Sequence, residues 1–335
     1  MSLVTCAVYT AAERMIGCDE TEAQFLRSAL EETFPPVKLS FAYGSAVFQQ
    51  HTSNSSGAIM DFVFAVDDPI KWHEENLMRN RSHYSFLKYF GAQAIVNIQR
   101  NHGATVYYNT LVDLKVRSQT DRSRVIKYGV ISCDDLCNDL RNWTCLYLSG
   151  RLHKPVRILH NNDERLLIAS RQNLLHAVHY ALLNLPEKFT KQKLFMKIAS
   201  ISYAGDFRMT FGENPKKVRN IVDGNFQAFC RLYENTIRRC TFLKTSMHDP
   251  TVFLAATGDK SSRQKLLHVM PSNVRDQIAR YSKGIDQECL QKVVRGIVRR
   301  TSRSQSIKGI FTAGGIKAAQ YALQKINRAY FSRSG

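Results

Sequence analysis

The hydrophobic pattern in the first half of the chain predicts strands separated by helices. Residues 37–43 alternate apolar and polar side chains into a turn at Gly44 and Ser45, which is typical of a half-buried strand ending in a tight loop. Residues 59–66 are almost wholly apolar and rich in strand-forming residues, which predicts a central strand. Further elements are predicted as strands over residues 105–108 and 125–131 and as helices over residues 69–80, 84–90 and 134–140.

In the second half of the chain the apolar residues recur at steps of three and four, which is a helical period. This period predicts helices over residues 164–183, 191–201, 217–240 and 273–282. We therefore predict an α+β protein with two consecutive domains. The first, residues 1–160, has a mixed sheet, and the second, residues 161–288, is mainly helical.

The remaining segment, residues 289–335, is predicted to be a basic tail, because it contains ten Lys and Arg residues and no acidic residue. Residues 301–306 are rich in Ser and precede Gly309, which predicts a linker. After this linker a helical apolar stripe is formed by Ile316, Ala319, Leu323, Ile326 and Tyr330. The stripe predicts an amphipathic helix, covered either by an anionic bilayer surface or by the protein's own core.

Composition and charge narrow the class of protein. The chain has 335 residues, enough for two domains with sizeable cores, and a formal net charge of +19, which predicts an anionic partner such as nucleic acid, a nucleotide or an acidic membrane. No apolar run approaches the roughly 18 residues of a transmembrane helix. The eight cysteines form no CxxC pair, which disfavours structural zinc, and the first residues lack the pattern of a secretory signal.

The candidate chemistry concentrates around the first two strands. Gly44 has no Cβ, so that backbone N–H groups can approach a phosphate closely, and the Ser45 hydroxyl can donate to the same oxygens. Asp61 lies in an otherwise apolar strand, where a carboxylate is costly unless a cation compensates it. A bound Mg²⁺ would do so, which is the plan of the nucleotidyltransferase superfamily. The alternative is a plain turn at Gly44 and an ion pair between Asp61 and a nearby base.

The second acid of the superfamily's usual pair is missing. Two acids separated by one residue would lie on the same face of a strand, but the second position here is Val63. Asp67 has the same parity as Asp61 but lies about 20 Å further along an extended strand. Another carboxylate, such as Asp113 or Asp206, is therefore expected to complete a two-metal site.

Several segments, in order along nearly the whole chain, resemble the mitochondrial phosphatidate cytidylyltransferases of the translocator assembly and maintenance family. The resemblance is carried by residues 41–48 (FAYGSAVF), 60–66 (MDFVFAV), 69–73 (PIKWH), 80–86 (NRSHYSF), 108–111 (YNTL), 126–132 (IKYGVIS), 142–143 (NW), 150–155 (GRLHKP), 202–209 (SYAGDFRM) and 308–314 (KGIFTAG). Each segment is short, but their joint occurrence in this order is specific to the family.

This resemblance implies an activity, a fold and a place. The activity is the conversion of CTP and phosphatidic acid to CDP-diacylglycerol and pyrophosphate with Mg²⁺, a step of phospholipid and cardiolipin synthesis. The fold is a nucleotidyltransferase domain followed by a helical, winged-helix-like domain. The place is the matrix side of the mitochondrial inner membrane, with the protein bound peripherally to an anionic surface. Nucleic acid is disfavoured as a partner, and homo-oligomerisation stays open.

Roles for the residues of the first two strands follow from the residues and the resemblance together. Gly44 and Ser45 are expected to hold the CTP phosphates, with Tyr43 positioning the turn. Asp61 is expected to bind the catalytic Mg²⁺. Lys127, a lone cation inside a strand, is expected to neutralise phosphate charge, and its alternative is a side chain that faces water.

Other candidates lie further along the chain. His83 and Tyr84 are expected to contact an anion or base, unless His83 serves a plain helix cap. Arg151 and Lys154 are expected to meet pyrophosphate or the lipid phosphate, unless both are solvated.

Asp206 and Arg208 complete the candidate set. Asp206 could supply the carboxylate that Val63 does not, and Arg208 could bind phosphate; alternatively the two form a structural ion pair. The phosphate of phosphatidic acid is already an anion at neutral pH, so no general base is demanded, and catalysis rests on positioning and electrostatics. Two other functions stay open from the residues alone: a nucleotidyltransferase acting on RNA ends, and a non-enzymatic basic adaptor for membranes or nucleic acid.

Overall fold

The computed structural model of this protein describes residues 20–44, 47, 59–116, 119–206, 208–211, 216–247, 249–281 and 287–313. The chain forms two compact units, and it passes between them more than once. Within the described residues the first unit comprises residues 20–135, 156–163 and 304–313, and the second comprises residues 136–155 and 164–303. This division differs from the consecutive segments predicted from sequence, because residues 136–155 leave the first unit early and residues 304–313 return to it.

The first unit contains a five-stranded sheet and the helices that precede or connect its strands. In chain order its elements are α1 (Glu20–Thr33), β1 (Leu39–Tyr43), β2 (Met60–Val66), α2 (Pro69–Arg79), α3 (Gly91–Asn101), β3 (Tyr107–Val116), β4 (Gln119–Ser132) and β5 (Arg157–Asn161). Helix α4 (Cys133–Asn142) follows β4 directly and leads into the second unit. Helix α2 begins where sequence predicts, since the Asp68 side chain accepts hydrogen bonds from Ile70 N and Lys71 N and Pro69 takes the first helical position.

The sheet has the strand order β3-β4-β2-β1-β5 and is mixed. Strands β2 and β4 pair in parallel, whereas the pairs β1–β2, β1–β5 and β3–β4 are antiparallel. One face of the sheet carries Phe62, Phe64 and Tyr128, which pack in one buried cluster with Leu26 and Phe34 from α1 and the loop after it. The predicted α+β class with a mixed sheet is confirmed.

The second unit consists mainly of helices and carries a small antiparallel sheet. Its elements are α5 (Leu148–Leu152), α6 (Glu164–Asn184), β6 (Lys188–Thr190), α7 (Lys191–Ser200), α8 (Arg208–Phe211), α9 (Lys217–Gly224), α10 (Phe226–Arg239), β7 (Leu243–Thr245), β8 (Val252–Ala255), α11 (Lys260–His268) and α12 (Ser272–Tyr281). Helix α13 (Gln287–Ala313) begins in this unit, and its residues from Ser304 on belong to the first unit. Strand β8 lies between β6 and β7. This order of elements is the connectivity of a winged helix, as predicted. A helix and a strand are followed by further helices and a final hairpin, and the second strand of the hairpin pairs with the first strand of the unit.

Three predicted elements differ from the structure. The segment 84–90 contains only a 3₁₀ turn, Phe86–Tyr89, because Tyr84 is held outside it by buried hydrogen bonds. The helix predicted over residues 217–240 is interrupted at Asn225, whose side chain donates a hydrogen bond to Ile221 O. The predicted linker at residues 301–306 is helical, since it lies within α13, and the polar side chain of Gln305 is buried there with hydrogen-bond partners. The stripe from Ile316 to Tyr330 lies outside the described residues.

A buried polar network in the first unit connects α2 to the sheet. The side chain of His73 is fully buried, with Nε2 3.0 Å from Gln99 Oε1 and Nδ1 2.7 Å from the Tyr84 hydroxyl. The Asn76 amide donates to the hydroxyls of Tyr84 and Tyr128. Because the Gln99 oxygen can only accept, His73 Nε2 carries the proton, and a neutral ring then accepts the Tyr84 proton at Nδ1. Burial lowers the pKa of His73 to about 4, which favours this neutral form.

The second unit contains a comparable network around Trp143. The Asn173 Oδ1 atom accepts hydrogen bonds from Trp143 Nε1 and from His153 Nε2, at 2.8 and 2.9 Å. The Tyr233 hydroxyl donates to His153 O at 2.9 Å. Burial, followed by the positive charge of Lys154, lowers the pKa of His153 to about 3. Each unit therefore contains a buried histidine whose hydrogen bonds stabilise it and whose ring has to remain neutral.

We predict that the protein loses stability as the pH falls below the ordinary histidine pKa. The unfolded chain takes up protons near pH 6.5, whereas His73 and His153 resist protonation in the folded state until about pH 4 and pH 3. Their contribution is thus fully present above pH 6.5 and decreases by on the order of 2 kcal/mol per histidine between pH 6.5 and pH 5. Urea unfolding followed by circular dichroism at pH 7, 6 and 5 measures the change. A free energy of unfolding that stays constant over this range would contradict the prediction.

Candidate active site

Asp61 lies at the beginning of the central strand β2, in register with one candidate residue on each neighbouring strand. On β1 its partner is Tyr43, and on β4 its partner is Lys127. Residues that pair across neighbouring strands project to the same face of a sheet. Three chemically distinct side chains, a phenol, a carboxylate and an ammonium, therefore stand in one row across three strands. The strand pairing places Tyr43, Asp61 and Lys127 side by side, and their assigned roles stay predictions.

The turn after β1 leaves space above the Asp61 carboxylate. Gly44 has a φ of +95°, in the left-handed region where a side chain is strained. A Cβ at this position would lie 3.5 Å from Asp61 Oδ2, so any side chain would occupy the space next to the carboxylate. Glycine thus serves both the backbone conformation and access to Asp61. Ser45 lies outside the described residues.

One further tyrosine, Tyr108, contacts two members of this row. The Lys127 Nζ atom lies 4.5 Å from the centre of the Tyr108 ring, and the Tyr108 hydroxyl is 3.3 Å from the Tyr43 hydroxyl. Tyr108 reaches this position across Gly129, where a Cβ would lie only 2.5 Å from the ring. Sequence reasoning assigned no role to Tyr108. The signal that could have found it is the glycine inside a predicted strand, which often marks the close approach of another group.

The electrostatics of this row suit a cation and a phosphate. Asp61 is only partly buried, and within the described part of the chain no hydrogen bond or ion pair to its carboxylate is formed. The alternative in which Asp61 pairs with a neighbouring base is therefore not seen among those residues. The space beside the Asp61 carboxylate exists because Gly44 has no Cβ. A carboxylate oxygen next to such a space fits a hard divalent cation such as Mg²⁺. Lys127, with its positive charge in the same row, fits an anion next to that cation.

The structure explains why the second acid is not at position 63. Val63 projects to the same face as Asp61, but it is fully buried, and a carboxylate there would be costly to desolvate. Asp67 is engaged with Lys38 at 3.2 Å, at the far end of β2. Asp113 is exposed on β3 and pairs with Val125, which places it on the face of Asp61 but two strands away. With strands about 4.8 Å apart, their Cα atoms are separated by roughly 12 Å, too far to share one ion directly.

His83 and Tyr84 lie on the opposite face of the sheet. Tyr128, which precedes Gly129 and follows Lys127, points away from the row of Asp61, and its hydroxyl is 3.1 Å from His83 Nδ1. Tyr84 is buried, and its hydroxyl is engaged by His73 and Asn76. His83 does not cap a helix, since its side chain contacts the Tyr128 hydroxyl and Ser85 caps the following turn. Because both side chains are engaged on the face opposite Asp61, we do not retain either residue for nucleotide binding.

The remaining candidates form a separate basic cavity within the second unit. It is lined by Tyr147, Arg151, Lys154, Ser202, Tyr203, Asp206 and Arg208, among others. Lys154 is buried, and its Nζ donates to Gly150 O at 2.7 Å and to Ser202 Oγ at 2.6 Å. Burial, with the charges of Arg151 and Lys217, keeps the pKa of Lys154 well below its usual value. An anion entering the cavity would relieve this cost, because it would stabilise the protonated form.

Asp206 and Arg208 form a bidentate ion pair, which was the alternative to a metal-binding role for Asp206. Arg208 Nε lies 3.0 and 3.1 Å from the two Asp206 oxygens, and Nη2 lies 2.6 Å from Oδ2. Burial raises the pKa of Asp206, but the hydrogen bonds and charge of Arg208 outweigh this effect and lower it overall. Both carboxylate oxygens are thus already occupied by a guanidinium. We therefore keep Arg208 as a residue of the basic cavity and do not retain Asp206 as a metal ligand.

No helix within the described residues is long and apolar enough to cross a bilayer. The chain is similar to proteins of one family along most of its length. A family model described as "Phosphatidate cytidylyltransferase, mitochondrial" matches residues 26–328. Curated relatives with that same name include proteins of Danio rerio, 40% identical over 93% of this chain and 96% of the relative, and Xenopus laevis, 41% identical over 87% and 90%. A third, from Bos taurus, is 42% identical over 88% of this chain and 91% of the relative.

These matches confirm the resemblance that the short segments carry, and with it the class of enzyme. The row of Tyr43, Asp61 and Lys127 beside Gly44 lies inside the matched range. The chain belongs to the mitochondrial phosphatidate cytidylyltransferase family.

Proposed function

We propose that this protein transfers the cytidylyl group of CTP to phosphatidic acid, with CDP-diacylglycerol and pyrophosphate as products. The observation that carries the proposal is the row of Tyr43, Asp61 and Lys127, set beside a glycine turn that leaves space at the carboxylate. A carboxylate and an ammonium in one row match a triphosphate with its counter-ion, since one holds the cation and the other the anion.

The triphosphate is bound by the first unit. Asp61 would hold Mg²⁺, which when bound neutralises phosphate charge and withdraws electrons from the phosphorus. The backbone at Gly44 approaches the phosphates without a Cβ in the way. Lys127, supported from below by the Tyr108 ring, offers its ammonium to a phosphate oxygen. Tyr43 fixes the end of β1, and its hydroxyl contact with Tyr108 keeps that end in place.

The acceptor needs no deprotonation, because the phosphate of phosphatidic acid is an anion at neutral pH. Its oxygen attacks the α-phosphorus of CTP, the new P–O bond forms, and the bond to pyrophosphate breaks. What this chain contributes is orientation and charge. We propose that the basic cavity of Arg151, Lys154 and Arg208 binds a phosphate of one of the reactants, since an anion there would compensate the buried ammonium.

The proposed location is the matrix side of the mitochondrial inner membrane, where the protein acts on a lipid substrate as a peripheral protein. The name shared by the relatives supports mitochondria, and the formal net charge of +19 supports attraction to an anionic lipid surface. CDP-diacylglycerol made there would enter phospholipid and cardiolipin synthesis.

We predict that Asp61→Asn abolishes lipid product while the fold remains intact. Asparagine keeps the size of the side chain but removes the charge that holds the cation, which we expect to cost at least about 100-fold in kcat/KM. The assay follows cytidine-labelled CTP into chloroform-soluble lipid. Asp67→Asn is the matched control, because that carboxylate follows directly after the same strand but pairs with Lys38. If Asp61→Asn kept more than about half of the activity of Asp67→Asn, Asp61 would have no part in catalysis.

The turn after β1 allows a second prediction. Ser45→Ala should weaken CTP use by roughly tenfold or less, because one hydroxyl is lost while the backbone remains. Gly44→Val should be far more damaging, since its Cβ would enter the space beside Asp61 and φ would be strained. CTP affinity measured by calorimetry, alongside melting curves, compares the two. Equal affinity in both variants and the wild type would mean that the turn does not contact the nucleotide.

A further inference from the structure

The end of α13 has its polar side buried and its apolar side exposed. Gln305 and Lys308 are buried, with the Gln305 oxygen accepting from Ala104 N at 3.0 Å and Lys308 Nζ donating to Gln99 O at 3.2 Å and to His102 O. The opposite side of the helix, formed by Ile307, Ile310 and Phe311, is 52–71% exposed. A surface helix normally buries its apolar stripe. The buried hydrogen bonds fix this helix in the reverse orientation, so the outward apolar side is held there by the structure.

A second exposed apolar segment meets this helix. The 3₁₀ turn Phe86–Tyr89 and the next residue carry three rings, of which Phe86, Tyr89 and Phe90 are 44%, 73% and 66% exposed. The Phe86 ring lies 5.3 Å from the Phe311 ring and 6.4 Å from the Phe90 ring. We refer to these six residues, Phe86, Tyr89, Phe90, Ile307, Ile310 and Phe311, as the apolar patch. Contiguous exposed patches of this kind mark interaction sites.

Two positive charges lie next to the apolar patch. Arg81 and Lys88 lie over the Tyr89 ring, with cation-to-centroid distances of 5.7 and 5.5 Å. Proteins commonly place aromatic residues at the boundary between lipid headgroups and acyl chains, with Lys and Arg next to them. Tyr89 with Arg81 and Lys88 has this composition. The apolar residues enter the boundary, and the cations meet the phosphates.

We propose that the apolar patch is a membrane-docking surface, which inserts into the interface of a bilayer that contains anionic phospholipid. The proposal rests on the proposed function in one respect, since a lipid substrate requires the protein to reach a bilayer. It adds the surface by which the first unit does so, formed by described residues that are not members of the stripe between Ile316 and Tyr330.

A second copy of the chain fits the patch less well than a bilayer does. A two-fold interface would place the same surface on both sides, so both copies would bring their Arg81 and Lys88 to one contact. Like charges at the rim of an apolar contact are unfavourable, whereas an anionic bilayer complements them. Charge complementarity therefore selects the lipid surface as the occupant.

The test is vesicle co-sedimentation of the full chain carrying Phe90→Ser and Ile310→Ser. The vesicles contain phosphatidylcholine with or without phosphatidylglycerol, an anionic lipid that is not the proposed substrate, so that substrate capture does not contribute. The matched control carries Ile168→Ser and Leu254→Ser, two apolar residues of the second unit that are 50% and 43% exposed. We expect wild type and control to pellet with the anionic vesicles and the patch variant to bind at least about tenfold more weakly.

Activity on two substrates separates this proposal from the proposed function. The patch variant should turn over a water-soluble, short-chain phosphatidic acid as the wild type does, while losing activity on vesicles. If the wild type had no activity on either substrate, the proposed function would fail, and the vesicle binding would still decide the docking surface.

Tryptophan fluorescence gives a second measurement of insertion that does not depend on the serine variant. Phe90→Trp should show a blue-shifted emission when anionic vesicles are added, because the native Trp72 and Trp143 are buried and change little. A patch variant that pellets like the wild type would overturn the proposal. If it also melted at a lower temperature, the patch would be covered by the chain's own residues; if it instead lost self-association in sedimentation velocity, a second copy would be the occupant.

Discussion

The pairing of β2 with β1 on one side and β4 on the other is the constraint on which the proposed chemistry depends. Side chains alternate along a strand, so a slip of one residue would turn Asp61 into the core beneath α1 and bring Phe62 to the face that now carries Asp61. The apolar residues prevent such a slip, because Phe62, Phe64 and Tyr128 fill one buried cluster only in the observed register. The hydrophobic core thereby positions a carboxylate that contributes nothing to the core itself, and Tyr43 and Lys127 take their places beside it through the same pairing.

The two faces of the five-stranded sheet carry different kinds of side chains. The face towards α1 and α2 contains rings and the network of His73, Asn76 and Tyr84, in which each hydrogen bond has a defined direction. The other face exposes Asp61 and Lys127 at the mouth of the Gly44 turn. A buried hydrogen-bonded network behind a charged row suits a reaction that depends on position and electrostatic stabilisation more than on a proton-transfer group. In the second unit the buried Lys154 ammonium donates hydrogen bonds to a backbone carbonyl and a hydroxyl, and a bound anion would stabilise its charge further.

The sequence alone predicts the strands that carry the site, since alternation and β-rich runs depend on local physics. It also predicts the pairing of a glycine turn with Asp61. It does not place His83 and Tyr84 on the face opposite Asp61, because their chemistry suits either face and only the position of Tyr128 decides. It misses Tyr108, whose role arises from packing across Gly129. The Ser-rich segment 301–306 has the composition of a linker, yet tertiary hydrogen bonds from Gln305 keep it helical. In each case, contacts between residues distant in the sequence override the local signal.

The central claim is that the cytidylyl group itself moves to the lipid. The most direct measurement uses two preparations of CTP, one labelled in cytosine and one with ³²P in the γ-phosphate, each incubated with the full chain, Mg²⁺ and vesicles containing phosphatidic acid. We predict that the cytosine label appears in lipid and that the γ-label appears in pyrophosphate, in equal amounts. Recovery of the γ-label in lipid, or of the cytosine label only in water-soluble products, would contradict the claim.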